Sequence, residues 1–355
     1  MAGLGHGRHP TDAPAPSGKS LAAVWHGRVV RTLVTGSSGH LGEAIVRTVR
    51  GRGEDVTGMD IRPSPWTDIV GSVTDPEAVR AAMAGVDVVL HTATLHKPQL
   101  AFVPGQAFID TNVSGTLTLL EAAADSGVRA FVMSSSTTVF GDALVPDAQH
   151  PAAWIDESVA PVPKNMYGVT KAAAEDLCQL AHRNHGLPTV VLRVARFFPE
   201  GDDRPDAHEG RSDANVKADE YATRRVALED AVDAHLLAAA AAGRIGFGRY
   251  VVSATTPFMP GDLAQLRTDA ATVFARRAPR VAEVWARRGW RFPARIDRVY
   301  DNSRARAELG WCPRYDLASI AELVDTENTV QTPLARLVGS KEYLYSSYHR
   351  GTFVP

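Results

Sequence analysis

The sequence predicts an α/β fold in which helices cover both faces of a doubly wound parallel sheet. From Val29 onward, short β-branched runs alternate with longer amphipathic runs, which is the pattern of repeated β-α-β units. The turn between the first strand and the first helix carries three glycines, and the second strand ends at Asp60. The chain has 355 residues, 45% of them hydrophobic, so it can bury such a sheet and a smaller second α/β domain.

The glycines of the first turn lie three residues apart. Between a strand and a helix, this spacing is typical of a Rossmann dinucleotide site. The first glycine permits the tight turn, the second leaves the main chain open to a pyrophosphate, and the third lets the helix approach the sheet. Unpaired N–H groups at the helix start can then bind phosphate oxygens. We therefore expect the cofactor to contact this turn at Gly36, Ser38, Gly39, His40, Leu41 and Gly42.

Asp60 indicates which dinucleotide is bound. It falls at the end of the second strand, where a carboxylate can accept hydrogen bonds from both ribose hydroxyls. The same negative charge would repel the 2′-phosphate of NADP, so the sequence favours NAD. Arg62, two residues further on, could meet that phosphate, which keeps NADP as the alternative.

The alternation of elements predicts the domain organisation. Residues 29–195 form the dinucleotide-binding Rossmann domain, and residues 196–340 form a substrate-binding domain with some segments returning to the sheet. Residues 1–28 and 341–355 are expected to be tails, the first of them disordered. The polar stretch 199–220 is expected to be a mobile loop. Further strands are predicted at 67–73, 86–91, 130–134, 189–194 and 249–253, and helices at 105–127, 166–185, 231–242, 262–277 and 281–288.

Composition and charge exclude several functions. The formal net charge is −2 and the basic residues are scattered, so there is no case for nucleic-acid binding. No apolar run reaches the roughly 20 residues that a membrane-spanning helix needs. Cys178 and Cys312 stand alone, which gives neither a metal-ligand spacing nor a disulfide framework. We therefore expect a cytoplasmic protein that acts on a small molecule and holds no metal.

Tyr167 and Lys171 lie four residues apart on a predicted helix, so their side chains share one face. A phenol titrates near pH ~10. An ammonium about 5 Å away would favour the phenolate by roughly 3 kcal/mol at an effective dielectric constant of ~20. We therefore expect Lys171 to lower the pKa of Tyr167 toward neutrality, which suits a general base. The spacing alone is equally compatible with a solvated pair on the surface.

Five motifs, in this order, resemble those of the extended short-chain dehydrogenase/reductase superfamily, and in particular its NAD-dependent epimerase/dehydratase family and UDP-galactose 4-epimerase-like sugar epimerases. They are TGSSGHLG at 35–42, NVSGTL at 112–117, SSSTTVFG at 134–141, YGVTK at 167–171, and DNSRA at 301–305 followed by LGWCP at 309–313. The resemblance covers roughly residues 29–325. These motifs are specific for the superfamily and do not identify a substrate.

The resemblance implies that Ser136, Tyr167 and Lys171 are the catalytic residues. Ser136 would align a substrate oxygen, and Tyr167 and Lys171 would also contact NAD, with Lys171 holding the ribose. Ser72 stands where the family commonly has an aspartate that contacts adenine. Further cofactor contacts are expected from Thr92, Ala93 and Asn112.

Two arginines indicate the charge of the substrate. Arg196 stands where the family has an asparagine that meets a diphosphate, and Arg291 aligns with a substrate arginine of the epimerases. Because guanidinium groups match carboxylate and phosphate oxygens, two of them in one cleft need an anion. The full set of expected substrate contacts is Thr94, His96, Ser136, Thr138, Arg196, Arg225 and Arg291.

The reaction type is less narrowly indicated. Sugar-nucleotide dehydratases carry an acidic pair after the catalytic hydroxyl, whereas this chain has Thr137 and Thr138, which disfavours dehydration. The resemblance favours an NAD-dependent epimerase, acting on a nucleotide sugar first and a sugar acid second. Two alternatives are a dehydrogenase or reductase of a sugar, sugar acid or hydroxy-ketone, and an NAD-sensing module without turnover.

The resemblance also implies a homodimer. In this superfamily two long helices of each subunit commonly pack into a four-helix interface, and here they would be residues 105–127 and 166–185. Both helices carry alanines on more than one face. A helix that is apolar beyond one stripe needs a second packing partner.

Overall fold

The computed structural model describes residues 29–147, 149–200, 208–341, 348–349 and 352–353. The predicted N-terminal tail lies outside the described residues. Of the predicted C-terminal tail, only residue 341 and two short strands are described. These strands, Tyr348–His349 and Thr352–Phe353, form an antiparallel pair.

A seven-stranded sheet organises the molecule, and all of its strand pairs are parallel. The strands of this sheet are β1 Thr32–Thr35, β2 Val56–Asp60, β3 Ile69–Val70, β4 Val88–His91, β5 Ala130–Ser136, β7 Thr189–Val194 and β8 Phe247–Val252. Their order is β3-β2-β1-β4-β5-β7-β8, so the winding direction reverses between β1 and β4. A ligand crevice forms at the carboxyl ends of the strands beside such a reversal.

Helices cover both faces of the sheet, as predicted. The main helices are α1 His40–Gly51, α2 Pro76–Ala82, α3 Gly105–Phe108, α4 Gly115–Asp125, α5 Met166–His185, α6 Asp213–Asp219, α7 Leu228–Ile245, α8 Leu263–Thr268, α9 Ala270–Arg277, α10 Pro279–Arg288, α11 Ser303–Leu309, α12 Leu317–Glu327 and α13 Pro333–Val338. The predicted helix at 105–127 is divided, because a π-helical segment, Ile109–Ser114, joins α3 to α4.

Neighbouring residues of β1 show why both faces are covered. Leu33 packs into one buried cluster with Leu119 and Cys178, from α4 and α5. Val34 packs into another with Ile45 and residues of α1 and α7. Because successive strand side chains point to opposite faces, a strand buried on both sides needs apolar residues at consecutive positions.

The C-terminal part builds a smaller domain and also completes the sheet. Its core joins α9, α10 and α12 around Phe274, Trp285 and Ile320. A two-stranded parallel sheet pairs β6, Ala153–Ile155, with β9, Arg298–Tyr300. Strand β8 follows α7 and covers the edge of β7. A segment of the C-terminal part therefore belongs to the sheet of the first domain. Its pairing satisfies main-chain groups of β7 that would otherwise be unpaired at the sheet edge.

In the predicted mobile loop at 199–220, residues 201–207 lie outside the described residues, and the part at 208–220 instead contains helix α6. Ser212 caps α6 by accepting the N–H of Asn215 at 3.2 Å. The carboxylate of Asp219 accepts from Trp285 Nε1 at 2.8 Å and from Arg211 Nη1 at 2.9 Å. The polar composition of this stretch therefore did not indicate a mobile loop, because these polar side chains are buried and hydrogen-bond to each other.

Candidate functional site

A cavity of about 2210 Å³ is lined by the glycine turn, by the carboxyl ends of β1, β2, β4, β5 and β7, and by residues of the C-terminal domain. Pockets for one drug-sized ligand typically measure about 300–1,000 Å³. The cavity can therefore hold a dinucleotide and a substrate side by side.

The glycine turn has the geometry that its spacing predicts. Gly36 has a positive φ of 76°, and a Cβ there would lie 2.6 Å from the main-chain nitrogen of Ala93. At Gly42 a Cβ would collide with the carbonyl oxygen of Gly36, so α1 could not approach so closely. A Cβ on Gly39 would meet only that oxygen, at 3.3 Å. The chain itself hardly requires glycine at Gly39, so the open space there fits a closely approaching ligand.

Helix α1 begins beside this open space. Gly39 is its N-cap, and no side chain caps the helix start. Main-chain N–H groups of the first turn can therefore bind phosphate oxygens. The six residues expected to contact a cofactor at this turn all line the cavity: Gly36, Ser38, Gly39, His40, Leu41 and Gly42.

Asp60 lies at the wall of the same cavity, together with Arg62. One oxygen, Oδ2, accepts the N–H of Ser38 at 3.0 Å, and the other, Oδ1, accepts the N–H of Arg62 at 2.9 Å. These bonds orient the carboxylate, and each oxygen keeps a lone pair for a ribose hydroxyl. Ser72 also lines the cavity, and its hydroxyl bonds to that of Thr74 at 2.7 Å.

Ser136 and Tyr167 meet at the cavity wall. The Ser136 hydroxyl lies close enough to the Tyr167 phenol to favour the phenolate. It donates to Thr138 Oγ1 at 3.0 Å and accepts the Thr138 N–H at 3.1 Å. Hydroxyl groups from β5, α5 and the turn between them are thus brought together, as the resemblance implied.

The electrostatics of Tyr167 differ from our expectation. Burial raises the pKa of Tyr167 to about 12, and the nearby Ser136 hydroxyl opposes this only in part. Lys171 is itself buried, and burial lowers the pKa of its ammonium to about 8, against the raising effect of Cys178 and Glu175. The predicted lowering of the tyrosine pKa by Lys171 is therefore wrong for the protein alone, because desolvation of the phenol dominates. Lys171 lies behind the cavity wall and is not part of its lining.

Glu175 fixes the helix that carries Tyr167 and Lys171. It lies one turn beyond Lys171 and is 1% exposed. Its carboxylate accepts from Ser135 Oγ at 2.6 Å, from Arg193 Nη2 at 2.8 Å and from Arg249 Nε at 3.1 Å. Strands β5, β7 and β8 are thereby attached to α5. Apart from a charged residue in an apolar helix, nothing in the sequence pointed to this network.

The loop after β4 reaches the cavity with Thr92, Ala93, Thr94 and His96. Asn112 holds this loop and is itself only 1% exposed. Its Oδ1 accepts from Thr94 Oγ1 at 2.9 Å and from the Leu95 N–H at 2.8 Å, and its Nδ2 donates to the Leu95 carbonyl at 3.1 Å. Because its amide is used in these bonds and does not line the cavity, Asn112 positions the loop and is not placed to contact a cofactor.

His96 covers Tyr167 at the cavity wall. Its ring centroid lies 4.9 Å from that of Tyr167 and 4.5 Å from that of Phe198. Burial, followed by the charge of Lys171, lowers the pKa of His96 to about 3, so the ring is neutral at physiological pH. Phe198 in turn lies 5.4 Å from the ring of His40 in the glycine turn. Sequence reasoning missed Phe198, since an aromatic residue after a strand is commonly part of the core.

The three predicted arginines have different positions. Arg196 lines the cavity, and its Nη1 lies 3.4 Å from Glu220 Oε1. Arg225 is buried, donates to Glu220 Oε2 at 3.1 Å and to the Phe198 carbonyl at 3.0 Å, and does not line the cavity. Arg291 is exposed, donates to the Glu209 carbonyl at 3.0 Å, and is also absent from the lining. Of these three, the structure therefore brings only Arg196 to the site.

Arginines that were not predicted as substrate contacts also reach the cavity. Arg224, the neighbour of Arg225, lines it and donates from Nε to Glu220 Oε1 at 3.1 Å. Besides Arg62, the arginines that line the cavity are Arg196, Arg211, Arg224, Arg295 and Arg298.

Among the described residues, no cluster of three or more His, Cys, Asp and Glu side chains is arranged to hold a metal ion. Within the same residues, no helix combines the length and the apolar character needed to cross a membrane.

Comparison with known proteins agrees with this geometry. The profile of the NAD dependent epimerase/dehydratase family matches residues 32–252. UDP-glucose 4-epimerase of Streptomyces lividans is 29% identical over 325 residues, covering 82% of this chain and 94% of that protein. NAD-dependent glucose-6-phosphate dehydrogenase of Haloferax volcanii is 33% identical over 181 residues, or 46% of this chain and 68% of that protein. The match to dTDP-glucose 4,6-dehydratase of Streptomyces niveus, at 34% identity, covers 48% of this chain and 54% of that protein.

Solved structures show the same fold. A short-chain dehydrogenase/reductase superfamily protein from Agrobacterium tumefaciens, with bound NAD, has a TM-score of 0.59 and 25% identity over 84% of this chain and 97% of that chain. Thermus thermophilus UDP-glucose 4-epimerase in complex with NAD has a TM-score of 0.56 at 21% identity, over 82% and 98% of the two chains. The glycine turn, the Ser136–Tyr167 contact and the family match lead to one conclusion: the chain belongs to the NAD-dependent epimerase/dehydratase family of the extended short-chain dehydrogenase/reductase superfamily.

Proposed function

We propose that this protein is an NAD-dependent epimerase that acts on an anionic sugar, with a nucleotide-linked sugar as the first candidate. The observation that carries the proposal is the proximity of Ser136 and Tyr167 in a cavity that is also lined by the glycine turn and six arginines. A carbinol bound between the two hydroxyls would have its anionic part directed toward the arginines. NAD, when bound, supplies a hydride acceptor that can return the hydride.

The residues of the chain supply the proton transfer. Ser136 holds the substrate oxygen, and Tyr167 removes the carbinol proton. Lys171, one turn along α5, would hold the ribose of the bound cofactor, as the resemblance implies. His96 shields the tyrosine from water and, being neutral, adds no charge of its own. If the keto intermediate rotates within the cavity, the hydride returns to its opposite face. Tyr167 then returns the proton to the oxygen, and an epimer forms.

Epimerisation is favoured over the other reactions of the family. Thr137 and Thr138 follow Ser136, where an acid pair would be needed to eliminate water. The similarity to UDP-glucose 4-epimerase covers 94% of that protein, whereas that to the Streptomyces niveus dehydratase covers 54%. The Haloferax volcanii dehydrogenase supports the second candidate, in which the keto product leaves and the enzyme is a dehydrogenase of a sugar, sugar phosphate or sugar acid.

A substrate screen separates these functions. Nucleotide sugars, sugar acids, sugar phosphates and neutral sugars would be incubated with the protein and NAD, with reduced nicotinamide followed by absorbance. We expect product from an anionic substrate with no net reduced nicotinamide, and Arg196→Ala should lower kcat/KM by about 10- to 150-fold, since one charge-assisted contact contributes roughly 1.5–3 kcal/mol. Net reduction would indicate a dehydrogenase. A neutral sugar as best substrate would contradict the anion site.

The general base can be tested by removing one oxygen. Tyr167→Phe should leave NAD affinity nearly unchanged and lower kcat at least ~100-fold, because only the proton-transfer group is lost. Steady-state kinetics and calorimetry measure the two effects. Tyr221→Phe is the matched control, because Tyr221 is a buried tyrosine outside the cavity lining and its variant should turn over normally. A Tyr167→Phe protein that keeps more than about a tenth of the wild-type rate would rule out this role.

Asp60 should determine the choice of cofactor. We expect NAD to bind at least ~10-fold more tightly than NADP, a difference of about 1.4 kcal/mol. The physical reason is repulsion between the Asp60 carboxylate and a 2′-phosphate. Calorimetric titration of the wild type, Asp60→Ala and Arg62→Ala with both dinucleotides measures this preference. Asp60→Ala should reduce the preference for NAD over NADP, and Arg62→Ala should increase it. Equal or tighter binding of NADP to the wild type would show that Arg62 dominates.

We also propose a homodimer through the two long helices. Each helix exposes large apolar side chains: Ile109 and Leu117 near α4 are 39% and 40% exposed, and Val169 and Leu180 on α5 are 46% and 40% exposed. Light scattering should give about twice the 38.1 kDa of one chain. A double change, Leu117→Glu with Val169→Glu, should yield monomers, whereas the control Leu337→Glu on α13 should not. A wild-type mass near that of one chain at micromolar concentration would refute the dimer.

A further inference from the structure

We propose that Lys341 is a further binding residue for the diphosphate of the cofactor. This inference rests on the NAD site described above and extends it to a residue far outside the glycine turn in sequence. Lys341 follows α13 and lines the same cavity as His40. Its side chain is 26% exposed, so it is held at the cavity wall and is not extended into solvent.

Three segments converge to hold Lys341 there. Its main-chain N–H donates to Glu200 Oε1 at 2.8 Å, and the same oxygen contacts His40 Nε2 at 2.8 Å. Its ammonium forms an ion pair with Glu43, in the first turn of α1. The glycine turn, the loop after β7 and the C-terminal segment are therefore attached to one another at the start of α1, where phosphate oxygens are expected.

The local charges explain why a cation is needed there. Glu43 and Glu200 both lie beside the start of α1, and Glu43 has only 5% of its side chain exposed. A diphosphate brought to the helix start would be repelled by these two carboxylates. Arg47 pairs with Glu43 Oε1 at 2.7 Å, and Lys341 pairs with the other oxygen. Since an ammonium has three N–H donors, Lys341 can keep Glu43 and still donate to a phosphate oxygen.

Ligands with and without phosphates provide the test. NAD, ADP and adenosine would be titrated by calorimetry into the full-length wild type and into Lys341→Met, Lys341→Arg and Arg336→Met. Lys341→Met should bind NAD and ADP roughly 10-fold more weakly and adenosine unchanged, because only the charge-assisted phosphate contact is lost. Lys341→Arg should retain most of the affinity. Arg336 lies on α13, a few residues before Lys341, and pairs with Glu327 at the surface. Arg336→Met is therefore the control and should behave as wild type.

Salt gives a second readout. The deficit of Lys341→Met should shrink as NaCl is raised, because screening weakens the phosphate contact in the wild type. Unchanged binding of NAD and ADP by Lys341→Met would overturn the inference. So would an equal loss for adenosine, since the segment would then shape the cavity without contacting phosphate. A wild type that binds neither NAD nor ADP would contradict the proposed function itself, which distinguishes the two failures.

Discussion

The buried carboxylate of Glu175 is the interaction on which the arrangement of the site depends. It accepts hydrogen bonds from Ser135 on β5, Arg193 on β7 and Arg249 on β8, and it belongs to the helix that carries Tyr167 and Lys171. Removing one partner from a buried ion pair typically costs about 3–5 kcal/mol, because a charge is left without compensation. The network therefore fixes α5 in rotation and height against the strands. The contact between Tyr167 and Ser136, the neighbour of Ser135, follows from that placement.

The same burial that orders the catalytic residues works against their ionisation. A phenol with a pKa near 12 and an ammonium with a pKa near 8 are both poorly solvated, so each resists its charged form. Positive charge brought into the cavity would be effective here, because a low-dielectric site strengthens electrostatic interactions. The protein alone thus holds the tyrosine protonated.

Aromatic rings and ion pairs connect the two ends of the cofactor cavity. Phe198 lies between the rings of His40 and His96, and His96 covers Tyr167. Two residues later, Glu200 joins the glycine turn to the C-terminal segment. The loop after β7 therefore contacts the glycine turn directly and Tyr167 through His96. A change in this loop would be felt at both places, although one follows β1 and the other lies on α5.

The sequence by itself determined the sheet and the glycine turn, and the resemblance of its motifs indicated Ser136 beside Tyr167. Local patterns suffice for the first two, namely β-α alternation and three glycines between a strand and a helix. Only the tertiary structure decided which arginines reach the cavity, that Asn112 supports a loop, and that residues 213–219 form a buried helix. It also decided the sign of the pKa shift at Tyr167. These properties depend on burial and on partners distant in sequence, such as Trp285 for Asp219 or Lys341 for Glu43, and a single sequence does not contain those distances.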